Sequence, residues 1–229
     1  MPIDMELEAV LRPMQYPMPP YPSKTITLAN GKEMVVRQAV REDVPAILKS
    51  VHPCLFIERD YYDIVSARLY GELLAWYRYR VKSEYCLLGQ VEGYLVGIVN
   101  GRMENEQVGM SYHTLAIDRG LRIGSHLFAA KMEYHMEYLG QESVLVVAES
   151  PIGFRRWMIE YPLEKTSIPH ELGGGDSYRL TKETYLTAKP RLVVGDRPVP
   201  QALMDEAMAE IKFADDDTIR ERIAGLKGR

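Results

Sequence analysis

Residues 113–128 read HTLAIDRGLRIGSHLF, and this stretch decides the fold that the sequence predicts. Its beginning has the apolar character of a strand, and its end starts a helix with an apolar stripe. Between them lie Gly120 and Gly124, whose missing Cβ lets the backbone approach a ligand closely. Free N–H groups in the first turn of a helix attract an anion, and Arg119 and Arg122 add positive charge there. The stretch therefore predicts a pyrophosphate-binding loop, although a plain helix start with a tight turn fits the same residues.

The patterns on either side of this stretch alternate between helical and strand periodicity. Asn30-Gly31 supplies the positive φ values of a tight hairpin turn. The apolar run at 143–148 has the length and continuity of a buried strand. The predicted helices are 41–51, 60–79, 121–139, 151–161, 200–213 and 216–226, and the predicted strands are 25–28, 34–37, 85–91, 94–99, 107–117, 143–148 and 177–186.

Length and charge limit the class of protein. The 229 residues can bury one substantial core but are short for two full domains. The net charge of −4 disfavours nucleic acid as a partner, since phosphate binding needs a concentrated basic surface, and a nucleic-acid binder would have only the scattered Arg119, Arg155 and Arg156. No apolar run approaches the roughly 20 residues that span a bilayer, and the start lacks the layout of a signal peptide. We expect a cytoplasmic protein with neither a nucleic-acid nor a membrane partner.

The two ends of the chain differ in composition from its middle. Residues 1–30 are rich in proline, which removes backbone donors and disfavours helix and central strand. Tyrosine and methionine lie between these prolines, so we predict an arm that covers the domain surface or a partner subunit, as in a homodimer. Residues 31–188 are predicted to form the single domain, and residues 189–229 a helical tail.

The two cysteines are not predicted to bind metal. Cys54 and Cys86 lie in apolar surroundings, without CxxC spacing and without a histidine at ligand spacing. This context predicts buried free thiols rather than a disulfide or a metal site.

The order of the predicted elements resembles that of the GNAT superfamily of acetyl-CoA-dependent N-acyltransferases. The family's loop reads (Q/R)-x-x-G-x-(G/A), and residues 119–124 of this chain read RGLRIG. Residues 34–43 and 178–182 resemble the family's first and last strands, so the resemblance covers about 31–185. It implies a GNAT-like α/β (α+β) domain with a mixed, mostly antiparallel central sheet flanked by helices. It also implies transfer of an acetyl group from acetyl-CoA to an amine, on a small molecule or a protein, by direct attack.

The resemblance assigns acetyl-CoA to the strand end and the loop. Backbone groups around Leu115, Ala116 and Ile117 would pair with the pantetheine amides and stabilise the oxyanion. Ser150 stands where the family often carries an asparagine. Arg122 replaces the loop's middle glycine, so its side chain either crowds the pyrophosphate or contacts it bidentately. The residues predicted around the pyrophosphate are Arg119, Gly120, Leu121, Arg122, Ile123, Gly124 and Ser125.

His113 and Tyr161 are the acid/base candidates. His113 matches a histidine of amine-acetylating relatives, although a hydrogen-bonded structural histidine fits the same strand position. Trp157 takes the place of the family's tyrosine that protonates the thiolate; an indole only donates its N–H, and Tyr161 is the nearest phenol. The departures at Arg122 and Trp157 keep a second hypothesis open, in which a catalytically inactive GNAT-like module binds CoA or assembles with proteins.

Further polar and aromatic residues have two interpretations each. Glu104 and Glu106 either act as a base through water or are solvated turn residues. Glu149 either lines the cleft or is solvated at the end of a strand. An aromatic cluster forms either an acceptor pocket or ordinary packing; it consists of Trp76, Tyr77, Tyr79 and Tyr85.

Overall fold

Eight strands form one mixed sheet in the computed structural model, which describes residues 16–81, 84–172 and 175–224. The strand order is β1-β2-β3-β4-β5-β6-β8-β7. Of the neighbouring strands only β5 and β6 run parallel, so the predicted mixed, mostly antiparallel sheet is confirmed. The strands are β1 (Lys24–Thr27), β2 (Glu33–Gln38), β3 (Glu84–Val91), β4 (Tyr94–Met103), β5 (Val108–Ala116), β6 (Ser143–Val147), β7 (Glu164–Thr166) and β8 (Ser177–Thr181).

Helices cover both faces of this sheet and divide the core in two. On one face α1, α2 and α7 pack against apolar side chains of β3, β4 and β5. On the other face α3, α4 and α5 pack against the remaining side chains of the sheet. Strand β3 is buried along its whole length because it has helices on both sides. The α-helices are α1 (Val44–Val51), α2 (Tyr62–Tyr77), α3 (Ile123–Glu133), α4 (Pro151–Glu160), α5 (Lys182–Leu192), α6 (Gln201–Met208) and α7 (Asp216–Ala224).

The predicted final strand is too long. Residues 177–186 were expected to be extended, but β8 ends at Thr181, and the chain continues as α5. The Thr181 hydroxyl accepts a hydrogen bond from the Thr184 N–H at 3.2 Å, which satisfies a free donor of the first helical turn. This N-cap outweighs the strand propensity of the residues that follow.

Both cysteines are buried free thiols, as predicted. Burial raises the pKa of Cys54 to about 12 and raises that of Cys86 as well. No helix in the described ranges is both long and apolar enough to cross a membrane.

The described parts of the two chain ends meet at one buried carboxylate. Glu133, at the end of α3, accepts hydrogen bonds from the Tyr21 hydroxyl at 2.7 Å and from Lys24 Nζ at 2.8 Å. Arg197 Nη1 donates to the same carboxylate at 3.0 Å. Beside it, Thr25 and Asp196 exchange backbone hydrogen bonds. The proposed division at residues 30 and 189 stays a prediction, but β1 precedes residue 30 and belongs to the sheet.

We expect Glu133→Gln to lower the free energy of unfolding by about 3 kcal/mol, because Lys24 would stay buried without a compensating charge. Glu92→Gln is the matched control, since the Lys32–Glu92 pair at 2.7 Å is exposed on both sides and its loss should cost about 0.5 kcal/mol. Urea unfolding measures both values. Similar losses for the two variants would contradict the role given to the buried carboxylate.

Candidate active site

A cleft of about 680 Å³ opens where β5 and β6 separate. The two parallel strands pair over residues 108–111 and 143–146. Beyond that point β5 follows β4 to Ala116, whereas β6 ends at Val147. The cleft is lined by the end of β5, the loop before α3, and the turn from β6 into α4. Two helices therefore begin at its walls.

A β-bulge explains why β5 leaves its neighbour. Val99 pairs with Thr114 and Gly101 with Ser111, so Tyr112 and His113 together face one residue of β4, Asn100. A bulge of this kind bends its strand and increases the local twist. The rings of Tyr112 and His113 stack with centroids 6.0 Å apart, so both side chains project from one face of the sheet.

The Asn100 side chain closes the gap that the bulge leaves in the ladder. Its Oδ1 accepts the His113 N–H at 3.0 Å, and its Nδ2 donates to Glu84 Oε1 at 3.0 Å. Glu84 is buried, and burial, together with the nearby Glu72 carboxylate, raises its pKa to about 8. The ladder is thus completed by side chains that the sequence analysis did not single out.

Strand alternation decides which backbone groups face the cleft. Ile117 donates its N–H to Val96 O at 2.9 Å and so faces β4. The N–H groups of Thr114 and Ala116 therefore point the opposite way, into the cleft. Tyr62 donates its hydroxyl to Ala116 O at 2.7 Å. Of the three strand residues predicted to bind pantetheine, Leu115 and Ala116 line the cleft, and Ile117 does not.

The loop before α3 places the uncapped first turn of this helix at the cleft. His126 N–H donates to Arg122 O at 3.0 Å, which is the first helical bond of α3. The N–H groups of Ile123, Gly124 and Ser125 have no acceptor within the helix, and no side chain of the described residues caps them. A Cβ built on Gly124 would meet its nearest neighbour, Ala116, at 3.8 Å, so the space beside the helix start is open. These features make the helix start suitable for an anion.

Arginines surround this helix start. Arg119 pairs with Asp60 at 2.7 Å. Arg122 Nη2 and Arg156 Nε both bind Glu160, at 3.0 and 2.6 Å. The Arg122 guanidinium therefore lies at the wall beside α4. Of the seven loop residues predicted around the pyrophosphate, all but Leu121 line the cleft.

His113 and Glu149 form a buried pair, in which Glu149 lines the cleft, whereas the His113 side chain is fully buried and does not line it. His113 Nδ1 lies 2.7 Å from Glu149 Oε2, and Arg68 Nη1 donates to Glu149 Oε1 at 3.1 Å. Burial acts to raise the pKa of Glu149, but the hydrogen bonds and charges of His113 and Arg68 outweigh it and hold the pKa below its usual range. His113 Nε2 is buried and has no hydrogen-bond partner among the described residues. Of the two interpretations of Glu149, cleft lining is the one observed.

The residues predicted on α4 have different places. Trp157 lines the cleft and stacks on Phe128 with centroids 4.6 Å apart. Tyr161 does not line it: the side chain is fully buried and packs edge-on against Phe128 at 5.6 Å. Burial raises the pKa of the Tyr161 phenol. Ser150 lines the cleft, but its hydroxyl caps α4 by accepting the Gly153 N–H at 3.1 Å.

The other candidates lie elsewhere. Glu104 and Glu106 are exposed in the β4–β5 turn. Tyr85 packs in the core against Tyr134 at 4.6 Å, whereas Tyr79 is exposed under the Arg41 guanidinium, so the predicted aromatic cluster is not one pocket. Within the described residues no group of His, Cys, Asp and Glu side chains could hold a metal ion.

Neither protein-family models nor curated protein sequences give a match to this chain. Solved structures match it. The GNAT domain of S. lividans PAT has a TM-score of 0.52 at 11% identity, over 72% of this chain and 99% of that one. FdhC, described as a nucleotide-linked sugar GNAT, has a TM-score of 0.50 at 13% identity, over 79% and 100%. This chain has the GNAT fold. An uncharacterized protein from Bacillus halodurans shares it, with a TM-score of 0.52 at 9% identity over 74% and 95%.

The loop before α3 holds Arg122 in a strained conformation, at φ 60° and ψ 20°. We expect Arg122→Gly to raise the free energy of unfolding by up to about 1 kcal/mol, because glycine adopts this conformation without steric cost. Arg156→Ala is the control, since it also removes a partner of Glu160 but relieves no strain. Thermal unfolding compares the two variants. A loss of stability in Arg122→Gly as large as that in Arg156→Ala would show that the ion pair outweighs the strain.

Proposed function

We propose that this protein is an acyl-CoA-dependent N-acyltransferase, which transfers an acetyl group from acetyl-CoA to an amine acceptor by direct attack. One observation carries the proposal: a strand with cleft-facing N–H groups leads directly into an uncapped helix start. The first feature suits an extended chain with amide groups, and the second suits a pyrophosphate. Their succession along one wall matches the order of groups in CoA.

The loop residues fit the anionic end of CoA. The N–H groups of Ile123, Gly124 and Ser125 would hold the pyrophosphate, with Arg119 and Arg122 beside it. Arg155 is exposed and has no ion-pair partner among the described residues, which leaves its charge available for a further phosphate.

The base of the cleft fits the transfer step. Acetyl-CoA supplies the thioester as the acyl donor. The Thr114 N–H faces the position where the carbonyl oxygen gains negative charge, and Ala116 N–H faces the pantetheine. Glu149 orients His113 through Nδ1 and leaves Nε2 to accept the proton of the attacking amine. The amine nitrogen bonds to the carbonyl carbon while the C–S bond breaks. We assign Tyr161 no role, since it lies outside the cleft and its hydroxyl, unlike the His113 ring, has no hydrogen bond to a cleft-lining residue among the described residues.

Calorimetric titration with acetyl-CoA and with free CoA, followed by a thiol-release assay with a panel of primary amines, tests this function. We expect micromolar binding of both, and release of thiol with at least one amine class. Binding without turnover across the panel would favour the alternative, a catalytically inactive CoA-binding module. Absence of binding by folded protein would overturn the proposal.

We expect Gly124→Trp to weaken acetyl-CoA binding at least about a hundredfold, because the indole would fill the space beside the helix start. Gly71→Trp is the matched control: Gly71 is exposed on α2, outside the cleft, and its added side chain meets nothing within 4 Å. Calorimetry measures affinity, and thermal unfolding verifies that both variants are folded. Unchanged affinity in Gly124→Trp would contradict the placement of the pyrophosphate.

His113 and Glu149 should act as one unit. We expect His113→Gln and Glu149→Gln each to lower kcat about a hundredfold, and the double variant to be no slower than the slower single variant. Acetyl-CoA affinity should stay unchanged, because neither side chain contacts the loop. Steady-state kinetics with the best amine measures these effects. Multiplicative losses would show that the two residues act independently.

A further inference from the structure

A lysine lies buried behind the base of the cleft. Lys131 comes from the last turn of α3 and is fully buried. Its Nζ lies 3.1 Å from His113 O and 3.4 Å from the carbonyl oxygens of Asn100 and Tyr112. Thr114 Oγ1 is a fourth neighbour at 3.3 Å. Three of these oxygens belong to the bulge of β5 or to the residue opposite it, and Thr114 directly follows the bulge.

Packing alone does not account for this lysine. Within the described ranges it has no carboxylate at ion-pair distance, in contrast to Lys24, which pairs with Glu133 at 2.8 Å. Burying an ammonium without a counter-charge costs several kcal/mol, which a methionine of similar length would avoid. Burial lowers the pKa of Lys131 to about 7, against the opposing influence of Glu149 and Cys86. The protein therefore holds a destabilising group where three backbone carbonyls converge.

The closest of these carbonyls shares a peptide group with a donor of the cleft. His113 C=O and Thr114 N–H belong to one peptide unit, and in a trans peptide they point in opposite directions. The carbonyl oxygen faces Lys131, and the N–H faces the cleft. A cation at the oxygen draws electron density from the peptide group and makes its N–H a stronger hydrogen-bond donor.

We propose that Lys131 is a positioning residue for acyl transfer, whose ammonium fixes the bulge and polarises the His113–Thr114 peptide toward the thioester oxygen. The inference rests on the proposed function, because it presumes a thioester carbonyl at Thr114. Lys131 acts through the peptide and touches no substrate. Its effect is largest when negative charge develops on that oxygen, so it favours the transition state over the bound substrate.

Infrared spectroscopy of bound acetyl-CoA, ¹³C-labelled at the thioester carbonyl, tests this in the absence of an acceptor. A stronger N–H donor lowers the carbonyl stretching frequency, so we expect the band to move to higher frequency in Lys131→Met. Affinity for acetyl-CoA should stay within about threefold, since the loop is intact. Phe128→Leu is the control: Phe128 is buried on α3 with its ring 5.4 Å from the ammonium, and the change alters packing without altering charge.

A pH titration of the wild type provides the second measurement. Deprotonation removes the charge, so the band should move to higher frequency as the pH rises through about 7. The charged or titratable groups that face Lys131 are Glu149 beyond β6, Cys86 on β3, His135 after α3 and His170 before β8, and the titratable residue His113 contacts it through its carbonyl oxygen. Burial lowers the pKa of His135 to about 3 and that of His170 to about 4, and burial raises that of Cys86, so none of these three titrates near pH 7. Glu149, with its lowered pKa, is ionised there.

The outcomes separate the two proposals. A wild type that binds no acetyl-CoA overturns the proposed function and this inference with it. Binding with an unchanged band in Lys131→Met, or an equal change in Phe128→Leu, overturns the inference alone. If Lys131→Met does not fold, the titration decides, and a wild-type band that is constant between pH 6 and 8.5 would refute the polarising role. A transition near 7 that persists in His113→Gln supports it, whereas a transition that is lost in His113→Gln belongs to the imidazole and also refutes it.

Discussion

The bulge in β5 is the constraint on which the rest of the site depends. A regular parallel pair would hold β5 against β6 along its whole length and would leave no space between them. Two residues opposite Asn100 bend the strand, and its last residues then follow β4 alone. The same bulge turns the side chains of Tyr112 and His113 to one face of the sheet. It also directs the His113 carbonyl toward Lys131 and the Thr114 N–H toward the cleft. One inserted residue thus produces the cleft, its base and the exposed donors.

The bulge is itself held by polar groups that are expensive to bury. Asn100 links the His113 N–H to Glu84, whose raised pKa reflects a carboxyl group far from water. On the opposite face Lys131 donates to the carbonyl oxygens of Asn100, Tyr112 and His113. Neither group adds apolar burial to the core. The Asn100 and Lys131 side chains instead provide hydrogen-bond partners for backbone atoms in the interior, where an unpaired polar atom is costly.

The sequence predicts the local elements well because each depends on neighbours along the chain. The apolar run, the glycines and the helical stripe of residues 113–128 do form a strand, a loop and a helix start. The register of the strands is not predicted in this way. Whether the N–H of Ile117 or that of Ala116 faces the cleft depends on which of them donates to a carbonyl of β4. Tyr161 illustrates the same limit: it is the phenol nearest to the family position that Trp157 takes, but only tertiary packing shows that it faces the core.

Local sequence patterns do not predict contacts between residues that are far apart in the chain. Asn100, Arg68 and Lys131 carry no motif, and a lysine in an apolar helical stripe resembles an ordinary surface residue until the helix is docked. The position of Glu149 after a buried strand does mark it as a candidate in the sequence. Its pairing with His113 is not predictable in this way, because the two residues come from different elements.

The ion cluster at Glu133 connects Tyr21, Lys24 and Arg197, which come from the two ends of the chain, to the helix that begins at the cleft. Helix α3 begins at the cleft and ends at Glu133. Tyr21, Lys24 and Arg197 therefore bind the end of the helix that is farthest from the cleft. Loss of these contacts would loosen the helix whose first turn faces the cleft. The residues around Glu133 thus anchor α3 at the end opposite to its anion-binding start.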